Sequence, residues 1–259
     1  MDKIKAILFK EFQEIRKTKM ILYSLAVIPI VFAIVIITTI NSNDMFKNVS
    51  EKVLYNLYPQ YQNLTPKQIL QILILDQNTP MFLIIPMLIP VMIAAYSIIG
   101  EKERKTLESL LATPITVIEL FIGKCLTAVI PAMGVSIVAF IIVCAGVDIS
   151  TYNSFGFLIM PNLKWLYTLI VLGTLASFLG VTFCIIISTK LKDIRAAQQL
   201  GSLIILPVFL FHTLGLSGKL FISFKMMLLG TLIFIVADLI LIYIGIKIFG
   251  REEILTKWK

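Results

Sequence analysis

From Pro80 to Ile99 the chain runs for twenty residues without a charged side chain. A bilayer core of roughly 30 Å is crossed by about 20 apolar residues in a helix. In lipid every backbone polar group must be satisfied within the segment, so a run of this kind has helix as its only open fold. Comparable runs recur, and we read six spans at about 20–40, 79–100, 117–146, 163–189, 197–215 and 225–249. The expected fold is an all-α integral membrane protein, with residues 1–259 forming a single transmembrane domain. Charged residues make up only 15% of the chain, against about 25% in soluble domains. The net charge of +8 sits beside the spans and forms no basic domain. It therefore speaks for anionic lipid headgroups and against nucleic acid.

The distribution of Lys and Arg gives an orientation. With the N-terminus inside, 17 of the 23 basic residues fall on inner segments. Positive charge favours the cytoplasmic side, so both termini are expected there. No small-residue cleavage site follows the first apolar run, which is expected to remain as the first span. A multi-pass protein of a prokaryotic plasma membrane is the expected setting. Cys125, Cys144 and Cys184 lie far apart, in or at the edge of apolar runs, and show neither metal spacing nor a disulfide framework.

Residues 1–19 read as an amphipathic interfacial helix. Ile4, Ile7, Leu8, Phe12 and Ile15 repeat at helical spacing, with basic residues off that stripe. Residues 41–78 read as the longest outer loop. Within it Thr65 can cap a helix and Pro66 suits its first turn. That helix is too apolar for water and is expected to pack on the outer ends of the spans or on a partner chain. Pro80, Pro86 and Pro90 in the second span and Pro131 in the third remove backbone donors, so kinks or breaks are expected.

Between the second and third spans lies "GEKERKTLESLLATPITVIELFIGK", Gly100 to Lys124. Glu101 to Thr113 holds no Gly or Pro and is rich in helix formers. Glu101 and Lys105 can pair at i,i+4, and Leu107, Leu110 and Leu111 form one narrow apolar stripe. Thr113-Pro114 ends that helix and can cap the next. A short rod with a leucine edge and a charged edge suits docking; a solvated loop that merely carries topology charges is the alternative reading.

The same stretch resembles the signature of ABC-2 type permeases, the membrane subunits of ABC exporters. There a Glu-rich turn runs into (R/K)-x-T-L-E-x-L-L-x-x-P, followed by a Glu and a Gly-Lys. Glu103, Thr106, Leu107, Glu108, Leu110, Leu111, Pro114, Glu119, Gly123 and Lys124 match. Lys105 stands where relatives often carry Gly, and stiffens the rod. The motif covers about a tenth of the chain; the rest of the likeness is architectural. The resemblance implies that the insert is a cytoplasmic coupling helix, braced by the N-terminal helix and docking on a separate ATP-binding subunit present in two copies. Glu101, Lys102, Glu103, Arg104, Thr106, Leu107, Glu108, Leu110 and Leu111 are the implied docking residues.

The chain has no G-x-x-x-x-G-K-[S/T] phosphate loop, so ATP and Mg are expected on the partner and no cofactor on this chain. Six helices are few for a transport path, so a second permease copy, identical or related, is expected. Met92, Tyr96, Gln198, Gln199, His212 and Asp238 are the candidate path-lining residues, with packing or interfacial anchoring as the alternative for each. Asp238 in mid-span is expected to face protein or a watery cavity. No acid–base pair, metal spacing or G-x-S-x-G motif points to an enzyme. An export permease for an amphipathic drug, lipid or peptide is the leading expectation. A sodium exporter is the main rival. A non-transporting anchor or sensor, a membrane-embedded enzyme and an ion-driven transporter are the further alternatives.

Overall fold

A computed structural model describes residues 2–41, 55, 63–104, 116–216 and 221–248. The described residues are mostly helical, with no strand among them. In chain order the elements are α1 (Asp2–Lys17), α2 (Lys19–Asn41), α3 (Pro66–Gln77), α4 (Thr79–Phe82), α5 (Ile84–Glu103) and α6 (Val117–Phe155). The fourth span follows as α7 (Leu163–Tyr167), a π-turn (Thr168–Leu172) and α8 (Gly173–Lys190). The fifth is α9 (Ile194–Ser202), a 3-10 turn (Leu203–Ile205) and α10 (Leu206–Leu216). The last is α11 (Phe224–Ile248). Six helical runs are long and apolar enough to cross a membrane, the number expected from the sequence.

Their surfaces identify the solvent. Only 22% of the apolar window of α2 and 11% of that of α11 is buried within the chain. Leu22, Val27, Ile30, Val31 and Ile34 of α2, and Leu228, Leu232, Ile233, Val236 and Leu239 of α11, are exposed. In water such faces would aggregate; against acyl chains they cost nothing. The bundle is built around α5, whose buried residues occur on all sides of the helix. It packs against α8, α6 and α9.

The contact of α5 with α8 depends on one glycine. A Cβ at Gly180 would lie 2.5 Å from Met87 O, a backbone atom that cannot swing aside. One turn further on, the Cys184 thiol donates to Val91 O at 3.2 Å, so the two backbones are joined as well as close. Buried Cys184 is thus a packing thiol, and all three cysteines are free.

Helix ends follow local chemistry. Pro66 opens α3, and Thr65 and Gln68 form a reciprocal capping box. α3 is largely buried and packs on α2 and α10. It leads through Asn78 and α4 into α5, so the second apolar run begins at Pro66 rather than at 79. The sequence hides this continuity because Gln71, Asp76, Gln77 and Asn78 interrupt the hydropathy; all four are buried here. The breaks fall beside Pro80 and before Pro86. Pro90 and Pro131 sit inside unbroken helices.

The cap of α6 is Thr116, not Thr113. Its N–H donates to Glu119 Oε2 at 2.8 Å, and the Glu119 N–H returns to Thr116 Oγ1 at 3.2 Å. α6 then runs 39 residues, about 58 Å, past the predicted end at 146. Ser150 and Thr151 would read as a stop, but their hydroxyls bond back to Gly146 O and Val147 O. The helix ends only at Gly156, whose φ of 71° suits a residue without Cβ. Gln68 Nε2 donates to Ser154 O at 2.6 Å, which fastens α3 to the far end of this rod.

Two glycine substitutions test the packing. Gly180→Val should cost about 1–3 kcal/mol of stability through overpacking. Gly230→Ala, where a Cβ meets nothing within 4 Å, should be neutral or stabilising by up to about 1 kcal/mol. Thermal unfolding in detergent reads both.

Candidate functional site

The described ion pairs concentrate where α1 meets the end of α5 and the start of α6. Lys124 lies two turns into α6, on a helix otherwise apolar at this level, and is 4% exposed. An ammonium held there must have its protons taken by other groups. All three donors are used: Nζ donates to Glu11 Oε1 at 2.9 Å, Glu101 Oε2 at 2.6 Å and Ser97 Oγ at 2.7 Å. Ser97 and Glu101 are four apart on α5 and therefore share a face.

Glu11 of α1 is 2% exposed and Glu101 3%. The other Glu101 oxygen accepts from Lys10 Nζ at 2.7 Å. Among the described residues, two carboxylates and two ammonium groups thus form a charge-matched knot that ties α1, α5 and α6 together. Burial alone would pull the Lys10 ammonium down. Its bond to Glu101 and the charges of Glu101, Glu11 and Glu14 outweigh burial and hold Lys10 above the usual lysine value. That raised value means the Lys10 contribution persists through neutral pH and is lost only in strong alkali.

Lys102 points away from the knot. Its Nζ donates to Ser188 O at 2.6 Å, Thr189 O at 2.8 Å and Leu191 O at 3.1 Å. Those carbonyls close the C-terminal end of α8, where a cation meets the negative end of the helix dipole. Adjacent residues on α5 therefore grip different helices. Glu103 is exposed. Arg104 is exposed and lies 3.7 Å from Glu14 Oε2 and 3.4 Å from the Tyr96 hydroxyl.

Of the residues expected to dock, Glu101 is thus turned inward and presents no surface to another chain, while Glu103 and Arg104 face out. Thr106, Leu107, Glu108, Leu110 and Leu111 lie outside the described residues, as does the part of the expected rod beyond Arg104; its first residues, Glu101 to Glu103, are instead the last turn of α5. Lys10, Glu11, Ser97 and Lys124 carry no expected role in the sequence pattern. The usable signal was the lone cation of "LFIGKCLTA", since a charge inside an apolar helix demands a partner.

The path-lining candidates do not converge. Met92 and Tyr96 are half-buried on α5, Gln198 is half-buried and Gln199 exposed on α9. His212 is buried on α10 at the far end, where its Nδ1–H donates to Gln77 O at 3.1 Å. Asp238 is 6% exposed, and neither carboxyl oxygen has a protein hydrogen-bond partner among the described residues. It shares the inward face of α11 with Met227 and Gly245, and Gly245 abuts Phe121 of α6. No hydrogen bond or ion pair among the described residues joins any two of these six. No cluster of three His, Cys, Asp or Glu fit to hold a metal occurs among the described residues.

Six apolar runs around a helical core, with a charged tie at one end, define a multi-pass membrane protein. The family described as ABC-2 family transporter protein matches residues 5–249, and the chain belongs to it. It is accordingly a permease of an ABC transporter, a family whose members are typically non-catalytic membrane subunits and generally pair with an ATP-binding subunit. No curated protein and no solved structure matches the chain.

Removing one member of the knot should leave like charges buried together. Lys124→Met strands Glu11, leaves Glu101 with Lys10 but without its buried partner, and should cost about 3–5 kcal/mol. Lys5→Met, at an exposed position on α1, should change stability by less than about 0.5 kcal/mol. Guanidine-free thermal unfolding in nanodiscs, with helix content as the readout, measures the difference.

Proposed function

We propose that the chain is the permease of an ATP-driven exporter. Two copies, or one copy and a relative, form the path. A separate cytoplasmic subunit, itself in two copies, binds ATP and Mg. The knot end faces the cytoplasm, as the bias of Lys and Arg favours. The insert from Glu101 to Thr113 is the docking element, with Glu103, Arg104, Thr106, Leu107, Glu108, Leu110 and Leu111 available to the motor subunit.

One observation carries this reading further than family membership does. Both helices that flank the rod are bonded through Lys124 and Glu101 to each other and to α1. A push on the rod then moves α5 and α6 as one body, and Lys102 carries it to α8. Glu101 acts in this scheme as a positioning residue rather than as a contact. Coupling is the differential stabilisation of two bundle arrangements by the closing of the motor pair. The apolar spans favour an amphipathic drug, lipid or peptide as cargo.

A sodium exporter is the second reading, and one residue favours it. Asp238 is a buried carboxyl with no protein hydrogen-bond partner among the described residues, and oxygen ligands suit a hard cation.

Copurification with the ATP-binding subunit and cargo-stimulated ATPase in liposomes test the proposal. Leu107→Asp with Leu110→Asp should abolish binding of the motor subunit. Glu101→Gln should keep that binding while lowering stimulated ATPase by about tenfold, a coupling loss of about 1.4 kcal/mol. Retained motor binding in the double variant would refute the docking assignment. For the second reading, stimulation by sodium chloride that is lost in Asp238→Asn would favour the cation exporter, and indifference to sodium would dismiss it.

A further inference from the structure

Seven buried side-chain polar atoms find no protein hydrogen-bond partner among the described residues, and five of them belong to Gln71, Gln77, Asn78, Thr79 and Trp165. Gln77, Asn78, Thr79 and Trp165 lie toward the end of the bundle away from the charged knot, and Gln71 lies two turns from Asn78 on α3. Asp76 is ion-paired with Lys164, the rings of Phe82 and Trp165 stand 5.5 Å apart, and His212 bonds Gln77 O. Those contacts bring residues 76–79 and 164–165 to one level. Gln71 and Asn78 are seven apart, two turns along the same helical line.

The burial is nearly complete. Gln71 is 6% exposed, Gln77 1%, Asn78 0%, Thr79 2% and Trp165 0%. The orientation of the Asn78 amide is fixed by its own bond, since Nδ2 donates to Ile74 O at 2.8 Å. Its oxygen is therefore the free end. A buried polar group left unbonded costs about 1–3 kcal/mol, and five of them along this stretch would be a heavy burden on a fold of ordinary stability. The groups are neutral. Four are oxygens that accept, one of them a hydroxyl that also donates, and the fifth is an indole N–H donor. A small partner that both donates and accepts satisfies all of them, and water does so with about three bonds per molecule.

We propose that this stretch is a hydration site: water entering from the face opposite the knot bonds these groups and wets that end of the bundle. The site depends on the outward placement of that face, and not on whether the chain exports anything. Its failure and the failure of the exporter reading are therefore separable.

The experiment uses the full chain in sealed right-side-out vesicles, with Cys125, Cys144 and Cys184 changed to Ala. Single variants Thr79→Cys and Asn78→Cys are exposed to a membrane-impermeant cationic methanethiosulfonate, from outside and then from inside. Tyr152→Cys, on the exposed far end of α6, is the reference. Thr79→Cys should react from outside no more than about 100-fold more slowly than the reference, an opening cost of about 2.8 kcal/mol. Reaction from the inside alone, or from neither face, overturns the proposal. Hydroxyl-radical footprinting of the unmodified chain in nanodiscs asks the same without a substitution. Oxidation of Trp165 well above that of buried Phe82 is the expected result, and equal protection of the two rings overturns the proposal whatever the cysteine variants do.

Discussion

A single ammonium group sets the terms for one end of this molecule. Lys124 sits on a long apolar helix with almost no access to water, and three groups from two other helices take its protons. Glu11 seats the N-terminal helix on this ammonium, and Glu101 fixes the height of the second span against it. Buried ion pairs add little net stability over apolar packing, but they penalise every arrangement in which one partner is missing. The knot therefore works as a register pin. It permits α1, α5 and α6 to meet in one relative position and makes a slip by one turn expensive.

The two ends of the bundle are chemically different. The knot end is rich in full charges, and the buried ones are matched carboxylate to ammonium. The opposite end relies on amides, a hydroxyl and an indole, with Asp76 and Lys164 as its charged tie. Between them α5 is apolar on every side and held to α8 by glycine contact and a thiol bond. A permease needs one end that transmits force and another that can part. Matched charges resist separation in a medium of low dielectric, whereas neutral polar groups lose little when water replaces their neighbours.

Much of this was legible in the sequence. Apolar runs of bilayer length give the six spans, and Thr65 before Pro66 marks the start of α3. The signature from Gly100 to Lys124 points to the family that the match over residues 5–249 establishes. What could not be read was the pairing. Glu11 and Lys124 are 113 residues apart, and Lys10 and Glu101 are 91 apart; helical periodicity names a face but not what the face meets. For the same reason Glu101 looked like an outward charge of the insert. Hydropathy also misplaced two boundaries. It stopped at the amides of α3 and at the hydroxyls of α6, because a polar residue satisfied inside a helix looks, in sequence, like one that has reached water.

The 39-residue α6 is anchored near both tips, through Lys124 to the knot and through Ser154 O to Gln68. Both attachments have a direction, and a helix turns 100° with each residue. An added or deleted residue between them would swing one anchor a quarter turn or more away from its mate. Connecting loops of such a protein can drift in length over evolutionary time, but this rod is cut to measure, and its residue count is as much a part of its design as its composition.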